Sequence, residues 1–198
     1  MSDLVVGAAG LARCAGGAAT PEYQRYHDEE WGVVLRGDMP IYERMTLEAF
    51  QSGLSWLTIL RKRDGFRAAF DGFEIGAVAA YGDRDVERLL GDARIVRNRA
   101  KILAAITNAR AAHALIDERG EGAFDALIWS YAPPARGQPP LSFADVPAVT
   151  QESTALAKDL KKRGFVFVGP TTLYALMQAV GMVDDHVDGC HRRGAGAF

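Results

Sequence analysis

Two cysteines and three of the four histidines lie near the two ends of this 198-residue sequence. Twelve residues separate Cys14 from His27, and three residues separate His186 from Cys190. If the second pair lies on a helical turn, its i and i+4 side chains share one face. Thiolate and imidazole ligands from four positions suit tetrahedral zinc, and four protein ligands leave no open position for a catalytic water. The spacing therefore indicates a candidate structural zinc site.

Alternatives to this zinc site remain open from the spacing alone. The cysteines could be free and buried while the histidines lie on the surface. A disulfide between Cys14 and Cys190 is the other possibility, although disulfides are rare in cytosolic proteins. His191 is adjacent to Cys190 and could replace it as a ligand, but its i+5 spacing from His186 is less favourable. His113 lies on an apolar helix face and is predicted to be a core histidine.

Glu48 is a second candidate for chemistry, because its expected position conflicts with its charge. Ile41, Met45 and Ala49 form an apolar helical stripe after Pro40. On a helical wheel Glu48 lies about 20° from the first of these residues, so its carboxylate is expected to face the interior. The alternative is a surface salt bridge to Arg44, one helical turn earlier.

The elements that position these residues are predicted to be helices. Prolines at a first helical position, capping residues and terminal glycines mark where they begin and end. The four predicted helices run from Asp38 or Pro40 to Ala49, from about Arg99 to Gly120, from Thr150 to Arg163, and from Pro170 to Gly181. Residues 131–147 hold five prolines and are predicted to form an ordered surface loop. The only short strand candidate is residues 164–168, so the fold class is predicted to be all-α.

Residues 158–178 are predicted to form two helices joined by a tight turn. The first helix is basic, and the second is opened by Pro170 directly after Gly169. Free N–H groups at a helix N-terminus bind phosphate without needing a basic side chain. This order of parts resembles the helix-hairpin-helix element of DNA repair glycosylases, and the alternative is an ordinary turn between two helices.

The overall composition excludes several classes of protein. The sequence is 48% hydrophobic and 24% charged, with a formal net charge of −2. These values exclude a disordered chain or a collagen-like repeat, and two cysteines are too few for a disulfide scaffold. No apolar run approaches the roughly 18 residues of a membrane span. Residues 1–12 lack a positively charged start and are predicted to be the flexible tail of a cytoplasmic protein.

Charge is unevenly distributed along the sequence. Residues 22–48 contain seven acids and three bases, whereas residues 61–67, 94–101 and 158–163 are strongly basic. Each basic run on its own is explained by a solvated helix face. Together, the three runs favour a phosphate-binding surface.

Nine ordered motifs carry a resemblance to a known family. In chain order they are PEYQRYHD (21–28), EWGV (30–33), LEAFQSGLSW (47–56), IVRNRAKI (95–102), NARA (108–111), WS (129–130), DLKKRGF (159–165), FVGPTT (167–172) and GMVDDH (181–186). The sequence resembles the DNA-3-methyladenine glycosylase I family of bacterial base-excision repair enzymes, within the helix-hairpin-helix superfamily. The resemblance covers about residues 13–193.

The resemblance implies an all-α fold of two lobes, with one structural zinc ion that ties the N- and C-terminal segments together. The family's zinc ligands fall on Cys14, His27, His186 and Cys190, the four residues that the spacing had indicated. The glycosylase domain is expected to span residues 13–193, with a C-terminal tail at 194–198. The protein is expected to be a monomer that acts on alkylated double-stranded DNA.

The resemblance also implies a base pocket and a reaction. The pocket falls on Glu48 as catalytic residue, with aromatic walls from Tyr23, Tyr26, Trp31 and Trp56. The expected reaction is hydrolysis of the N-glycosidic bond of N3-methyladenine after base flipping, without strand cleavage. The expected DNA contacts are the wedge residue Leu54 together with Lys161, Lys162, Gly169 and Thr171.

Two positions depart from the family pattern. Where the family usually has a tryptophan, two residues after the first zinc cysteine, this sequence has Gly16, so one aromatic wall is missing or replaced. Where the family usually has asparagine before the Asp-His pair, this sequence has Asp184. Asp184 could add a carboxylate near the sugar, or it could be a capping residue with no kinetic effect.

Overall fold

The computed structural model describes residues 3–7 and 10–195, and within them the fold is built from helices. The described residues contain nine α-helices and one two-stranded hairpin. The helices are α1 (Pro21–Glu29), α2 (Asp38–Gln51), α3 (Trp56–Ala69), α4 (Ile75–Ala79), α5 (Asp83–Gly91), α6 (Arg99–Arg119), α7 (Ala123–Trp129), α8 (Gln151–Lys162) and α9 (Pro170–Ala179). The strands are β1 (Leu4–Val6) and β2 (Ala12–Cys14). The predicted all-α class is confirmed.

The four predicted helices correspond to α2, α6, α8 and α9, and local capping explains their limits. The Asn98 side chain accepts a hydrogen bond from the Lys101 amide at the start of α6, and Thr150 caps α8 in the same way. Pro170 is the first residue of α9. Within the proline-rich segment 131–147, the structure forms only a short 3-10 turn, Phe143–Asp145.

The N-terminal segment differs from the predicted tail. Leu4–Val6 pairs antiparallel with Ala12–Cys14, and the Leu4 side chain packs against the small cluster of Cys14, Val187 and Cys190. The apolar run after Asp3 therefore has a packing partner that is far away in sequence. Residues 1, 2, 8, 9 and 196–198, which belong to the predicted tails, lie outside the described residues.

Two other predictions about local structure are wrong. Residues 164–168 form the connection between α8 and α9 rather than a strand. His113 is not a core residue, because the buried face of α6 runs through Ala105, Ala109 and Ala112 and passes beside it. The exposed His113 ring instead lies 2.9 Å from the Asp117 carboxylate.

The core surrounds α2, which packs against α3, α6, α7 and α9. Tyr42, Met45 and Phe50 of this helix are completely buried. Any polar residue on its buried faces is therefore placed in the protein interior. None of the described helices is long and apolar enough to cross a membrane.

Candidate active site and metal centre

A cavity of about 230 Å³ brings Glu48 together with all four predicted aromatic residues. Tyr23 and Tyr26 lie on α1, Trp31 in the turn that follows it, Glu48 on α2, and Trp56 at the start of α3. The lining residues are Cys14, Gly16, Gly17, Tyr23, Tyr26, His27, Trp31, Glu48, Gln51, Trp56, Phe143, Ala175 and Gln178. Aromatic and aliphatic surface dominates the lining, which suits a flat apolar ring.

The aromatic walls are held by local contacts. Thr20 caps α1 by accepting a hydrogen bond from the Tyr23 amide, and the Tyr23 hydroxyl accepts one from the Leu57 amide at 3.2 Å. The Tyr26 and Trp56 rings are tilted, with centroids 5.3 Å apart. These contacts join α1 to the start of α3, so both walls are fixed before a ligand binds.

Glu48 is a buried carboxylate without a hydrogen-bond partner among the described residues. It is 6% exposed, as its place on the apolar stripe predicts. Burial raises the pKa of Glu48 to about 7, and the nearby positive charge of Arg44 opposes this shift only in part. A cation or a hydrogen-bond donor that enters the pocket therefore stabilises the ionised form of this carboxylate.

The alternative salt bridge between Arg44 and Glu48 is not formed. Arg44 instead donates to Glu30 at 3.0 Å, and Arg63 donates to the same carboxylate at 2.9 Å. The Arg44 guanidinium also lies 5.4 Å from the centre of the Tyr26 ring. Because the hydrogen bonds of Arg44 are directed to Glu30, the carboxylate oxygens of Glu48 remain available to the pocket.

A possible metal-binding group lies beside this pocket. The ligand atoms of Cys14, His27 and Cys190 all lie within 4.8 Å of one another, and all three residues are buried. The His186 ring packs edge-on against the His27 ring, with centroids 4.9 Å apart. The structure thus brings three of the four residues selected from sequence spacing together, and it places His186 beside them.

A carboxylate contacts the Nδ1 atom of each imidazole ring. Asp28 Oδ1 lies 2.8 Å from His27 Nδ1, and Asp184 Oδ1 lies 2.8 Å from His186 Nδ1. His186 Nε2 is buried and has no hydrogen-bond partner among the described residues. Carboxylates commonly orient metal-binding histidines in this way, so this orphaned nitrogen fits a metal ligand.

Two glycines make room for these rings. A Cβ at Gly17 would lie 2.5 Å from the His27 ring, and a Cβ at Gly32 would lie 2.8 Å from the His186 ring. Gly32 also has a φ of +75°, which other residues rarely adopt. Both positions therefore require glycine if the histidines are to converge.

The two thiols of this group differ in pKa. Hydrogen bonds from Cys14 and His27 favour the Cys190 thiolate and lower the pKa of Cys190 to about 3. The same shared hydrogen bond, together with burial, raises the pKa of Cys14. A thiolate beside an imidazole is the ligand chemistry that zinc prefers.

Asp184 is not brought to the base pocket. Its carboxylate accepts hydrogen bonds from the His186 and Gly194 amides, at 3.1 and 2.8 Å, in addition to its contact with the His186 ring. It lines a different cavity, together with Arg136 and Tyr174. Burial alone would raise the pKa of Asp184, but these contacts outweigh burial and lower it to about 2.

The residues predicted to contact DNA lie on exposed turns and helix ends. Leu54 is 40% exposed in the turn between α2 and α3. Lys161 and Lys162 are exposed at the end of α8, Gly169 is the N-cap of α9, and Thr171 is exposed in its first turn. Their side chains lie outside the base pocket.

The three basic runs have different environments. Arg61, Arg63 and Arg67 pair with acids, and so do Arg94 and Arg99. In the described structure, Lys158, Lys161 and Lys162 have no such partner. Among the described residues, the run at the end of α8 therefore presents three ammonium groups without an acidic partner, whereas the 94–101 run keeps one such exposed cation, Arg97.

Three residues that shape the site or its neighbouring turns were missed by the sequence interpretation. The Lys101 ammonium donates to the Phe50 and Ser52 carbonyls at 2.8 and 2.6 Å, and so fixes the turn that carries Leu54. Asn108 exchanges two hydrogen bonds with the Val166 backbone in the α8–α9 connection. Phe143 lines the base pocket. A buried amide or ammonium is visible in sequence only as one polar residue on an apolar helix face.

The chain is similar to known proteins over most of its length. The methyladenine glycosylase family model matches residues 16–193. A relative named DNA-3-methyladenine glycosylase 1, from Escherichia coli (strain K12), is 45% identical over 184 residues, which are 91% of this chain and 96% of that protein. DNA-3-methyladenine glycosylase from Haemophilus influenzae (strain ATCC 51907 / DSM 11121 / KW20 / Rd) is 41% identical over 171 residues, covering 85% of this chain and 90% of the relative.

Solved structures show the same relationship. A crystal structure of 3-methyladenine DNA glycosylase I superposes with a TM-score of 0.86 at 44% identity, covering 91% of this chain and 99% of that chain. The Staphylococcus aureus enzyme, solved to explain 3-methyladenine recognition, has a TM-score of 0.85 at 34% identity and covers 91% and 96% of the two chains.

Proposed function

The chain belongs to the methyladenine glycosylase family, and from that premise we propose how its pocket performs base excision. It removes alkylated adenine from DNA by hydrolysing the N-glycosidic bond, the first step of base-excision repair. The observation that carries the proposed mechanism is Glu48, a buried and unpaired carboxylate in an aromatic pocket.

The substrate itself supplies much of the driving force. Methylation at N3 gives adenine a delocalised positive charge and weakens its bond to deoxyribose. The enzyme must therefore extract the nucleotide from the duplex, recognise a cationic purine, and stabilise the positive charge that develops on the sugar. This chain needs little general-acid catalysis, because the leaving group is already activated.

Glu48 and the aromatic walls make different contacts with the damaged base. Tyr23, Tyr26, Trp31 and Trp56 offer electron-rich rings, which attract a cationic base more strongly than a neutral one. Glu48 accepts hydrogen bonds from the exocyclic amine and stabilises the base's positive charge. Since no donor in the described structure satisfies Glu48 in the free protein, the damaged base supplies the missing partner.

The α8–α9 unit is our candidate for the helix-hairpin-helix contact with the DNA backbone. The unpaired Lys161 and Lys162 lie at one end of this unit. The α9 N-terminus, at Gly169 and Thr171, offers amides to a phosphate. Leu54 is the candidate wedge that fills the space left by the flipped base. Lys101 supports this role, because it fixes the turn on which Leu54 is presented.

Zinc bound by Cys14, His27, His186 and Cys190 would act as a structural clasp. The unpaired His186 Nε2 and the mixed thiolate and imidazole set support this assignment. When bound, zinc would tie β2 and α1 to the segment that follows α9, and would close a loop of nearly the whole chain. Cys14 and His27 also line the base pocket, so the clasp would support one of its walls.

The activity is tested by incubating the protein with methylated duplex DNA and identifying the released bases by chromatography. We expect free N3-methyladenine, with the DNA strand intact until alkaline treatment. The described residues that line the pocket include no lysine, so strand cleavage by a covalent enzyme intermediate is not expected. Binding of methylated DNA without release of a base would instead indicate a DNA-damage binder, and release of only a different base would change the substrate.

The metal assignment is tested by elemental analysis after dialysis. We expect one zinc ion per native chain, and substantially less in Cys190→Ser. A Cys190→Ser protein that retains one zinc per chain would contradict the ligand set. His191→Ser is the matched control, since His191 is adjacent in sequence and lies outside the proposed set.

A further inference from the structure

One aromatic residue of the base pocket comes from outside the helices. Phe143 belongs to the 3-10 turn in the proline-rich segment 131–147, and it lines the same cavity as Glu48 and Tyr23. It is 37% exposed, so part of its ring is packed and part is open. An open aromatic face at the edge of a cavity is suited to stacking on a flat ring.

Gly16 leaves space in this cavity. It lines the pocket without contributing a side chain, and a Cβ added there would meet no heavy atom within 4 Å. The next residue, Gly17, is in contrast packed tightly against His27. The turn that follows β2 therefore gives the pocket no wall of its own at Gly16.

Asp3 connects Phe143 to the segment next to this space. The Asp3 carboxylate accepts a hydrogen bond from the Phe143 amide at 3.0 Å. Its carbonyl accepts one from the Ala15 amide at 2.8 Å. Because Ala15 directly precedes Gly16, one residue bridges the two segments and holds Phe143 near the open corner.

The turn that carries Phe143 is itself held in place. The Asp145 carboxylate accepts hydrogen bonds from the Leu141 and Ser142 amides, at 3.1 and 2.8 Å. On the other side, the Asp188 amide donates to the Pro140 carbonyl at 2.8 Å. A ring that is positioned before the ligand arrives loses little freedom on binding, so its contact contributes more to affinity.

Building on the proposed function, we propose that Phe143 is a specificity residue of the base pocket. Its ring forms the aromatic wall that Gly16 does not supply, and it stacks on the flipped methylated purine. The proline-rich segment is thus part of the substrate site, although it lies about 90 residues from Glu48 and Trp56 in the sequence.

The test measures binding of free N3-methyladenine by isothermal titration calorimetry. We expect Phe143→Ala to weaken binding about tenfold, the usual loss when a stacking ring is removed. Leu141→Ala is the matched control: it removes an exposed apolar side chain from the same segment, outside the pocket, and should leave affinity unchanged. Phe143→Leu keeps an apolar side chain and guards against a folding defect, and it should also bind more weakly than the native chain.

A double variant tests the shared wall. Gly16→Trp added to Phe143→Ala should recover affinity, because the open corner accepts a new ring. Equal affinity of the native chain, Phe143→Ala and Phe143→Leu would overturn the inference and leave the proposed function intact. A double variant no better than Phe143→Ala would show that the two positions do not share a wall. Absence of binding by the native chain would refute the proposed function, and the inference with it.

Discussion

Glu48 and Asp184 are two poorly exposed carboxylates in opposite states. Glu48 has no hydrogen-bond donor among the described residues, and burial raises its pKa to about 7. Asp184 accepts hydrogen bonds from the His186 ring and from two backbone amides, and its pKa is lowered to about 2. The difference lies in the donors around each group rather than in burial alone.

This contrast indicates which carboxylate is available to a ligand. A buried carboxylate without a hydrogen-bond donor lowers the stability of the free protein, and a bound cation stabilises it. A satisfied carboxylate has already formed its contacts, and here they orient a candidate metal ligand. We therefore propose that the same side-chain chemistry serves ligand recognition at Glu48 and orients His186 at Asp184.

The pH dependence of excision should give the largest effect. Only ionised Glu48 attracts a cationic base, so kcat/KM should fall about tenfold per pH unit below pH 7, or about a hundredfold between pH 8 and pH 5. Arg44, Glu30 and Tyr26 should each stay in one ionisation state over this range. His27 also lines the pocket, and its effect is separated by Glu48→Gln, which retains His27. Steady-state kinetics on methylated DNA measures the profile.

Glu48→Gln is the control for that profile. Its low activity should show no titration near pH 7, because the substituted side chain does not ionise. A native profile that is flat between pH 8 and pH 5 would contradict the role of the Glu48 charge.

Protein stability should also depend on the ionisation of Glu48. Its pKa is higher in the folded state than the value of 4.5 for an unperturbed glutamate, so the folded state retains the proton to higher pH. Stability is therefore lost as pH rises from about 4.5 through 7. Between pH 5.5 and pH 8, the native chain should lose about 2 kcal/mol of unfolding free energy relative to Glu48→Gln.

Urea denaturation of both proteins at the two pH values measures this difference. The comparison cancels all groups that titrate equally in both proteins. If the difference in unfolding free energy between the native chain and Glu48→Gln does not change with pH, the pKa of Glu48 is not raised in the folded state.

Asp184 should affect metal retention. Asp184→Ala removes the acceptor that orients the His186 ring, and loss of such a partner should lower zinc affinity at least about tenfold. Asp184→Asn retains an acceptor oxygen and should have a smaller effect. Competition with a chelator measures both affinities. Native-like zinc affinity in Asp184→Ala would show that His186 does not depend on this contact.

Much of the site could be predicted from the sequence because it depends on patterns among residues that are close together in the sequence. The apolar stripe of α2 placed Glu48 in the interior, and the paired spacings selected the residues that form the candidate metal centre. Caps and terminal glycines also located four helices. These signals depend on helical periodicity, which neighbouring residues determine.

The remaining features depend on contacts that are distant in sequence. Leu4–Val6 forms a strand because it pairs with β2 and packs near Cys190, and the sequence interpretation assigned it to a tail. His113 is exposed because the face of α6 that the core buries runs through Ala105, Ala109 and Ala112. Phe143 reaches the pocket through its bond with Asp3, which is 140 residues away. In two of the three basic runs most arginines pair with acids that are distant in sequence or lie in a neighbouring turn, and the charge pattern of the sequence does not reveal these pairs.

The most direct test of the contrast between the two carboxylates is the rate of N3-methyladenine release by Glu48→Gln and Asp184→Asn, measured on the same methylated DNA. We predict that Glu48→Gln loses about 10- to 100-fold in kcat/KM, since a charge-assisted hydrogen bond is removed. Asp184→Asn should remain within about twofold of the native chain, because its contacts are structural. Equal losses in the two variants, or a larger loss in Asp184→Asn, would contradict the account.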